Sequence, residues 1–278
     1  MRTSQRFGVF AAAALAALYA SPLSAASVDG MTIHSSSAGS GPTLVFVHGW
    51  TCDASSWDGQ VPAFAKDHRV ITLDLPGHGR SQSPADGKLS MDVFARAVEA
   101  VRAEAGAERI VLVGHSMGAP VIRQYAHLYP ERVAGLVAVD GPLDLRAFGD
   151  LPPGFPPPMT GPEGRAAREG MIRSMFIAET PAPLQEKVLK MMLGAPEATA
   201  VGAMNAMFDP AIRWTDITRT PALTVYAGTA QVPDAAKTKE LYPNHEATQV
   251  AGTGHFLMME KPAEFNRLLT AFLDKIDF

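Results

Sequence analysis

Residues 110–118 read IVLVGHSMG, and this stretch of the chain decides the fold. The apolar run Ile110–Val113 predicts a buried strand, and the residues from Ala119 to Tyr129 predict a helix. Between them the pattern G-x-S-x-G places Ser116 on a tight strand-to-helix turn. A side chain at either flanking glycine would collide with the strand or the helix. The strained turn exposes the serine oxygen at a helix N-terminus, where negative charge is favoured.

The composition bounds the class of protein. The chain has 278 residues, of which 47% are hydrophobic and 19% are charged, enough for one large α/β domain with a substantial core. A formal net charge of −4 without a long basic run argues against nucleic acid as a partner. Cys52 is the only cysteine, so no internal disulfide is expected. A small buried filler is the expected role of Cys52, with a reactive thiol as the alternative.

Residues 1–26 differ in character from the rest of the chain. Two arginines stand in the first six residues, residues 7–19 are nearly all apolar, and SPLSAA follows at 21–26. This pattern predicts a signal peptide cleaved after Ala25 or Ala26, and the apolar run is too short for an ordinary membrane span. We therefore expect a periplasmic or secreted protein with no stable membrane anchor after cleavage. An uncleaved anchor is the alternative.

Strand and helix patterns alternate along the remainder of the sequence. The predicted strands are Thr43–Val47, Val70–Leu73, Ile110–Val113, Val133–Val139, Pro221–Ala227 and His245–Val250. The predicted helices lie at Ser55–Lys66, Ser90–Ala105, Ala119–Tyr129, Ala235–Tyr242 and Pro262–Ile276. Such alternation requires crossover connections, so it predicts an α/β fold with a mostly parallel central sheet and helices on both faces.

The alternation is interrupted between residues 141 and 207. A proline-rich stretch is followed there by three weakly amphipathic helical segments, and seven of the 13 methionines lie in this region. An insertion between two strands predicts a helical cap, 141–207, over the edge of the sheet where α/β proteins bind ligands. The core then consists of 27–140 and 208–278. The methionines indicate either an adaptable apolar pocket or simple packing of the cap helices.

A serine hydroxyl needs a base to take its proton and an acid to orient that base. The sequence GTGHF at 252–256 follows a predicted strand, and its glycines allow a sharp loop that can bring His255 to Ser116. The other histidines stand in turns, inside the G-x-S-x-G pattern, or without any motif. His255 is therefore the predicted base.

A developing oxyanion needs two backbone N–H donors. The amide of Met117, directly after Ser116, is one candidate. The turn HGW at 48–50 follows a predicted central strand, and the amide of Trp50 is the second candidate. Alternatively, Trp50 forms only a wall of the pocket.

Four motifs stand in an order that resembles the α/β-hydrolase superfamily: HGW at 48–50, DLPGHGRS at 74–81, GHSMG at 114–118 and GTGHF at 252–256. The resemblance covers about residues 28–278 and is weakest in the cap. It implies the α/β-hydrolase fold and a structural turn at 74–81. Relatives such as haloalkane dehalogenases and epoxide hydrolases use an aspartate nucleophile, so a serine at 116 excludes that branch.

The resemblance leaves the orienting acid open. Most relatives carry it in a Gly-x-x-Asp pattern after the strand that follows the cap, and Gln231 stands at that position here. Asp234 is the nearest carboxylate, but N-capping of a helix is its plainer role. Some members of the superfamily carry the acid after the strand that follows the nucleophile strand, where this chain has Asp140. Asp140 is the predicted acid, and Asp234 is the alternative. If Asp140 is not the acid, its expected role is to cap the turn at Gly141.

Together these residues predict an exported serine hydrolase that cleaves an apolar small-molecule ester or lactone. Other enzymes on similar scaffolds are carbon–carbon bond hydrolases, acyltransferases and cofactor-free perhydrolases, and a ligand-binding protein without turnover is a further alternative. No histidine or cysteine cluster has metal-ligand spacing and no dinucleotide fingerprint is present, so neither a metal nor a cofactor is expected. The oligomeric state is left open.

Overall fold

The computed structural model describes residues 21–22, 26–144, 146, 155–157, 159–209, 212 and 215–278. Most of the predicted signal peptide lies outside the described residues. Ser21–Pro22, within the predicted signal peptide, pair with residues 36–37 at one edge of the sheet. Within the described ranges, no helix is both long enough and apolar enough to cross a membrane.

The strands form one large sheet and one hairpin. In chain order they are β1 Ser21–Pro22, β2 Ala26–Val28, β3 Met31–Ile33, β4 Ser35–Ala38, β5 Thr43–Val47, β6 Arg69–Leu73, β7 Ile110–His115, β8 Val133–Val139, β9 Ala222–Ala227 and β10 His245–Val250. The eight-stranded sheet has the order β1-β4-β6-β5-β7-β8-β9-β10, and β2 pairs with β3 separately. Six neighbouring strands, β6-β5-β7-β8-β9-β10, are mutually parallel. At the other end of the sheet, β4 is antiparallel to β6, and β1 is antiparallel to β4.

One or more helices follow each of the parallel strands. In chain order they are α1 Val61–Phe64, α2 Met91–Glu104, α3 Gly118–Leu128, α4 Gly161–Ser174, α5 Ala182–Gly194, α6 Glu197–Met207, α7 Ala235–Leu241, α8 Leu257–Glu260 and α9 Pro262–Leu273. The predicted mostly parallel sheet with helices on both faces is confirmed. The predicted cap segment contains α4, α5 and α6, which lie between β8 and β9.

The central strands show why the sequence folds this way. Every residue of β5, β7 and β8 is buried, because helices cover both faces of a parallel sheet and the strands must be apolar throughout. These three strands are neighbours, and their carboxyl ends meet at one edge of the sheet. The residues after them, 48–50, Ser116 and Asp140, therefore come together at that edge.

Candidate active site

The turn at Ser116 has the strained geometry that its glycines permit. Ser116 has a φ of 52°, in the left-handed region, and its amide donates to the carbonyl of Val139 at 2.9 Å. A Cβ on Gly114 would lie 2.3 Å from the carbonyl oxygen of Gly118, and one on Gly118 would lie 2.5 Å from that of Val47. The prediction that both flanking positions exclude a side chain is therefore confirmed.

Asp140 is held between β9 and the loop of His255. Its backbone also has a positive φ, 43°, and its amide donates to the carbonyl of Val225 at 2.9 Å. One carboxylate oxygen, Oδ1, accepts the amide of Ala227 at 2.8 Å, and the other, Oδ2, lies 2.6 Å from Nδ1 of His255. The structure thus brings the predicted acid and the predicted base together.

The electrostatics of this pair favour an ionised Asp140. Burial opposes the charge, but the hydrogen bond and charge of His255, together with the Ala227 amide, lower the pKa of Asp140 below its ordinary 3.8. A carboxylate accepts and does not donate, so Nδ1 of His255 carries the shared proton. Nε2 of the neutral ring is then an acceptor, as a base requires.

The loop of His255 is fixed by contacts that the sequence did not reveal. The His255 amide donates to the carbonyl of Met175, at the end of α4, at 3.0 Å. The Gly254 amide donates to Oε2 of Glu260 at 2.6 Å, and Oε1 of Glu260 accepts the hydroxyl of Thr180 at 3.0 Å. These bonds join the loop to the cap. No local pattern marks Glu260, because its partners come from separate parts of the chain.

The two candidate oxyanion donors belong to the turn of Ser116 and to the loop beside it. Within the described part of the chain, the amides of Trp50 and Met117 donate to no protein acceptor. The loop 48–50 lies against the serine, since a Cβ on Gly49 would lie 3.2 Å from Cβ of Ser116. The indole of Trp50 is buried and donates to the carbonyl of Ala200 in α6 at 2.8 Å, so its side chain fastens the loop to the cap.

Ser116, Asp140 and His255 line one cavity of about 630 Å³. Other walls come from the cap, from β9 and from the segments after β8 and β9, and they include Pro142, Ser174, Met175, Met207, Phe208, Tyr226 and Gln231. Among the described lining residues, only Asp140 and His255 can carry a charge near neutral pH. Of the methionines in the described part of the cap, Met175 and Met207 belong to this lining.

The remaining candidates have structural roles. Asp234 caps α7, where its carboxylate accepts the amide of Ala236 at 2.9 Å, and Gln231 is exposed at the cavity. Cys52 is buried, and burial raises the pKa of its thiol to about 12, as expected of a packing residue. Asp74 is buried and accepts the amides of Ala54 and Arg80, so it holds its turn together. Among the described residues, no cluster of three or more His, Cys, Asp or Glu could hold a metal ion.

The chain is similar in sequence to several known proteins. Over 262 residues the chain is 30% identical to the dihydrolipoyllysine-residue acetyltransferase component of an acetoin cleaving system from Cupriavidus necator, covering 89% of this chain and 68% of that protein. Over 101 residues it is 39% identical to a pimeloyl-[acyl-carrier protein] methyl ester esterase from Aeromonas hydrophila, covering 36% of this chain and 38% of the esterase.

Among solved structures, the chain is similar to an N-acyl homoserine lactone degrading enzyme, with 26% identity, a TM-score of 0.75 and coverage of 91% of this chain and 100% of that one. The model of the family described as alpha/beta hydrolase fold matches residues 42–184, just over half of the chain. Its relatives include esterases as well as proteins with other activities. The protein belongs to the alpha/beta hydrolase family.

Proposed function

We propose that this protein is an exported serine hydrolase that cleaves a carboxylic ester or a lactone through an acyl-enzyme. The observation that carries the proposal is the 2.6 Å hydrogen bond between Asp140 and His255 in the cavity that Ser116 also lines. The esterase and the lactone-degrading enzyme among its relatives support this choice of substrate.

Acylation begins when Oγ of Ser116 bonds to the substrate carbonyl carbon while its proton passes to Nε2 of His255. The carbonyl electron pair moves onto oxygen, where the amides of Trp50 and Met117 donate to it. The carbon–oxygen bond to the alcohol then breaks, and the leaving alkoxide takes the proton from His255. Each oxyanion donor contributes on the order of 2.7–4 kcal/mol of transition-state stabilisation.

Deacylation repeats these steps with water. His255 takes a proton from water, and the resulting hydroxide attacks the acyl carbon. The bond to Ser116 breaks, and Oγ regains its proton from His255 as the carboxylic acid departs. Throughout, Asp140 stabilises the charged imidazole without accepting its proton.

The lining of the cavity favours an uncharged acyl group. Pro142, Met175, Met207 and Phe208 provide apolar walls, and the only side chains in the described lining that can be charged, the proposed acid and base, are bonded to each other. Burying an unpaired charge there would be costly. We therefore expect turnover of para-nitrophenyl butyrate and a much lower kcat/KM for the para-nitrophenyl monoester of succinate.

The export part of the proposal rests on the sequence of residues 1–26. Cleavage after Ala25 or Ala26 would remove β1, whose two residues lie at the outer edge of the sheet. Mass spectrometry of protein recovered from the periplasm or the medium tests this. A mature N-terminus at residue 26 or 27 is expected, and a full-length chain retained in the cell would contradict it.

Hydrolysis of para-nitrophenyl esters of graded chain length tests the mechanism. Ser116→Ala should remove turnover and also remove labelling by a fluorophosphonate, because both require the same hydroxyl. Asp234→Asn is the matched control for Asp140→Asn, because it changes the same type of side chain outside the hydrogen bond to His255. Activity that survives Ser116→Ala would contradict the proposal.

Acyl transfer is a second candidate, favoured by the acetyltransferase name of the relative from Cupriavidus necator. The two outcomes differ only in whether water or an alcohol attacks the acyl-enzyme. Adding a short alcohol during ester turnover separates them. A hydrolase yields mainly carboxylic acid, whereas a transferase yields mainly the new ester.

A further inference from the structure

His115 joins the serine turn to the loop of the proposed base. It is the last residue of β7, directly before Ser116, and its side chain is buried. Its Nε2 lies 2.9 Å from the backbone carbonyl oxygen of His255, and the centres of the two rings are 4.7 Å apart. Two residues separated by 140 positions in sequence are thus connected by one side chain.

The contact fixes the proton of His115. A carbonyl oxygen only accepts, so Nε2 must donate, and Nδ1 of the neutral ring is left without a proton. Within the described part of the chain Nδ1 has no hydrogen-bond partner. It faces the loop of the oxyanion donor Trp50, since a Cβ on Gly49 would lie 3.0 Å from Nδ1. His115 therefore contacts the base loop on one side and the oxyanion loop on the other.

The ring is also kept neutral. Burial first, and the charge of His255 second, lower the pKa of His115 to about 3. A second cation would otherwise stand beside the imidazolium that forms on His255 during turnover, where Asp140 must stabilise the charge. A neutral donor can hold the loop without opposing that charge.

We propose that His115 is a positioning residue whose Nε2–H holds the backbone of His255 so that its imidazole stays aligned between Asp140 and Ser116. This role rests on the proposed serine mechanism and adds a residue to it. Asp140 fixes one ring nitrogen, but a ring can still tilt about that bond if its backbone moves. The bond from His115 holds the carbonyl of His255, as the bond to Met175 holds its amide. Misplacement of a catalytic group by about 1 Å can cost as much as 100-fold in rate.

Two substitutions separate the hydrogen bond from the packing. His115→Gln keeps an Nε2–H donor at a similar reach from the backbone, and His115→Phe keeps a ring but removes the donor. We expect His115→Phe to lower kcat for para-nitrophenyl butyrate by about 10- to 100-fold with little change in KM. His115→Gln should retain most of the activity. Thermal unfolding of both variants reports their folding, and His115→Met serves as the donor-free variant if His115→Phe does not fold.

The pH profile provides a readout that a purely packing role would not change. The acid limb of kcat/KM reports ionisation of the base, so it should shift in His115→Phe and remain in place in His115→Gln. Equal kcat values in the donor-free and donor-bearing variants would overturn the proposal. A loss of activity in both variants that is proportional to their loss of thermal stability would also overturn the proposal.

Proton NMR distinguishes a failure of this inference from a failure of the proposed function. The Nδ1 proton shared by His255 and Asp140 should give a low-field resonance in the wild-type protein, whatever the substrate. We expect that resonance to broaden or shift in His115→Phe and to persist in His115→Gln. An unchanged resonance in His115→Phe would overturn the role of His115 even if no ester proved to be a substrate.

Discussion

Two aspartates that follow neighbouring strands have different surroundings. Asp140 comes directly after β8, is mostly buried, and has its carboxylate divided between the amide of Ala227 and the ring of His255. Asp234 lies in the loop after β9, is exposed, and caps α7 through the amide of Ala236. The same functional group thus faces a histidine in one loop and a helix terminus in the other.

The difference comes from the backbone rather than from the side chains. Asp140 has a positive φ and donates its own amide to β9, so its carboxylate is turned along the edge of the sheet toward His255. Asp234 follows Pro233 at the beginning of a helix, where unpaired amides are the nearest donors. Asp234 is closer in sequence to the usual position of the acid, yet Asp140 is the carboxylate that contacts His255.

The largest effect that tests this comparison is the loss of catalysis. We expect Asp140→Asn to lower kcat on para-nitrophenyl esters on the order of 10³–10⁴-fold, because an amide cannot stabilise the imidazolium or hold its tautomer. Asp234→Asn should leave kcat within about twofold of wild type, since a cap residue does not touch the ring. Steady-state kinetics measure both. The reverse ranking would assign the acid to Asp234.

A smaller effect concerns the space around Ser116. A Cβ on Gly141, the residue after Asp140, would lie 2.5 Å from the carbonyl oxygen of Ser116. We expect Gly141→Ala to lower the free energy of unfolding by about 1–3 kcal/mol, because the backbone must shift to admit the methyl group. Gly170→Ala in α4 is the control, with open space around it. Gly170→Ala should raise the free energy of unfolding by about 0.5–1 kcal/mol, because glycine destabilises a helix interior relative to alanine. Chemical denaturation measures the stability of both variants.

The next effect separates stability from catalysis at Asp234. Asp234→Ala should lower the free energy of unfolding by about 1 kcal/mol, because α7 loses its N-cap. Ester hydrolysis should be unchanged. Denaturation and kinetics on the same preparation check the two parts, and a loss of rate without a loss of stability would contradict the capping role.

The most gradual effect is the response to acid. The folded pKa of Asp140 is lowered from 3.8, so its stabilising contribution is complete above that pH. The contribution is lost as the pH falls through the lowered value, because the folded state must then take up a proton. The difference in unfolding free energy between wild type and Asp140→Asn should therefore be constant at mildly acidic pH and shrink in stronger acid. A difference that grows on acidification would contradict the lowered pKa of Asp140.

Much of the fold could be predicted because its signals are local. The strands Thr43–Val47 and Val133–Val139 have the predicted bounds, since buried parallel strands are short apolar runs between turn residues. The half-exposed edge strand His245–Val250 also has the predicted bounds. The strands between residues 21 and 38 and the short α8 were missed. Serine-rich edge strands such as Ser35–Ala38 carry neither an apolar run nor a clear alternation, and they form because β6 offers its open edge.

The site divides in the same way. Ser116 and His255 stand in local motifs, and Asp140 could be chosen because it ends an apolar strand. The contacts of Glu260 and His115 could not be foreseen, because they join residues that meet only when the sheet and cap are assembled. The loop of Trp50 could be identified from its local motif. The hydrogen bond from its indole to Ala200 could not, because it depends on where the cap lies.

The bond from the His255 amide to Met175 has a consequence for how the substrate range of this enzyme can change. Its acceptor is a main-chain carbonyl, which any residue at position 175 supplies. The constraint falls on the partner loop instead, where a Cβ on Gly254 would lie 2.7 Å from that oxygen. The side chain at position 175, which lines the cavity, can thus be exchanged or randomised in a mutant library while the base keeps this hydrogen bond. Altering the length of α4 would not leave that support intact.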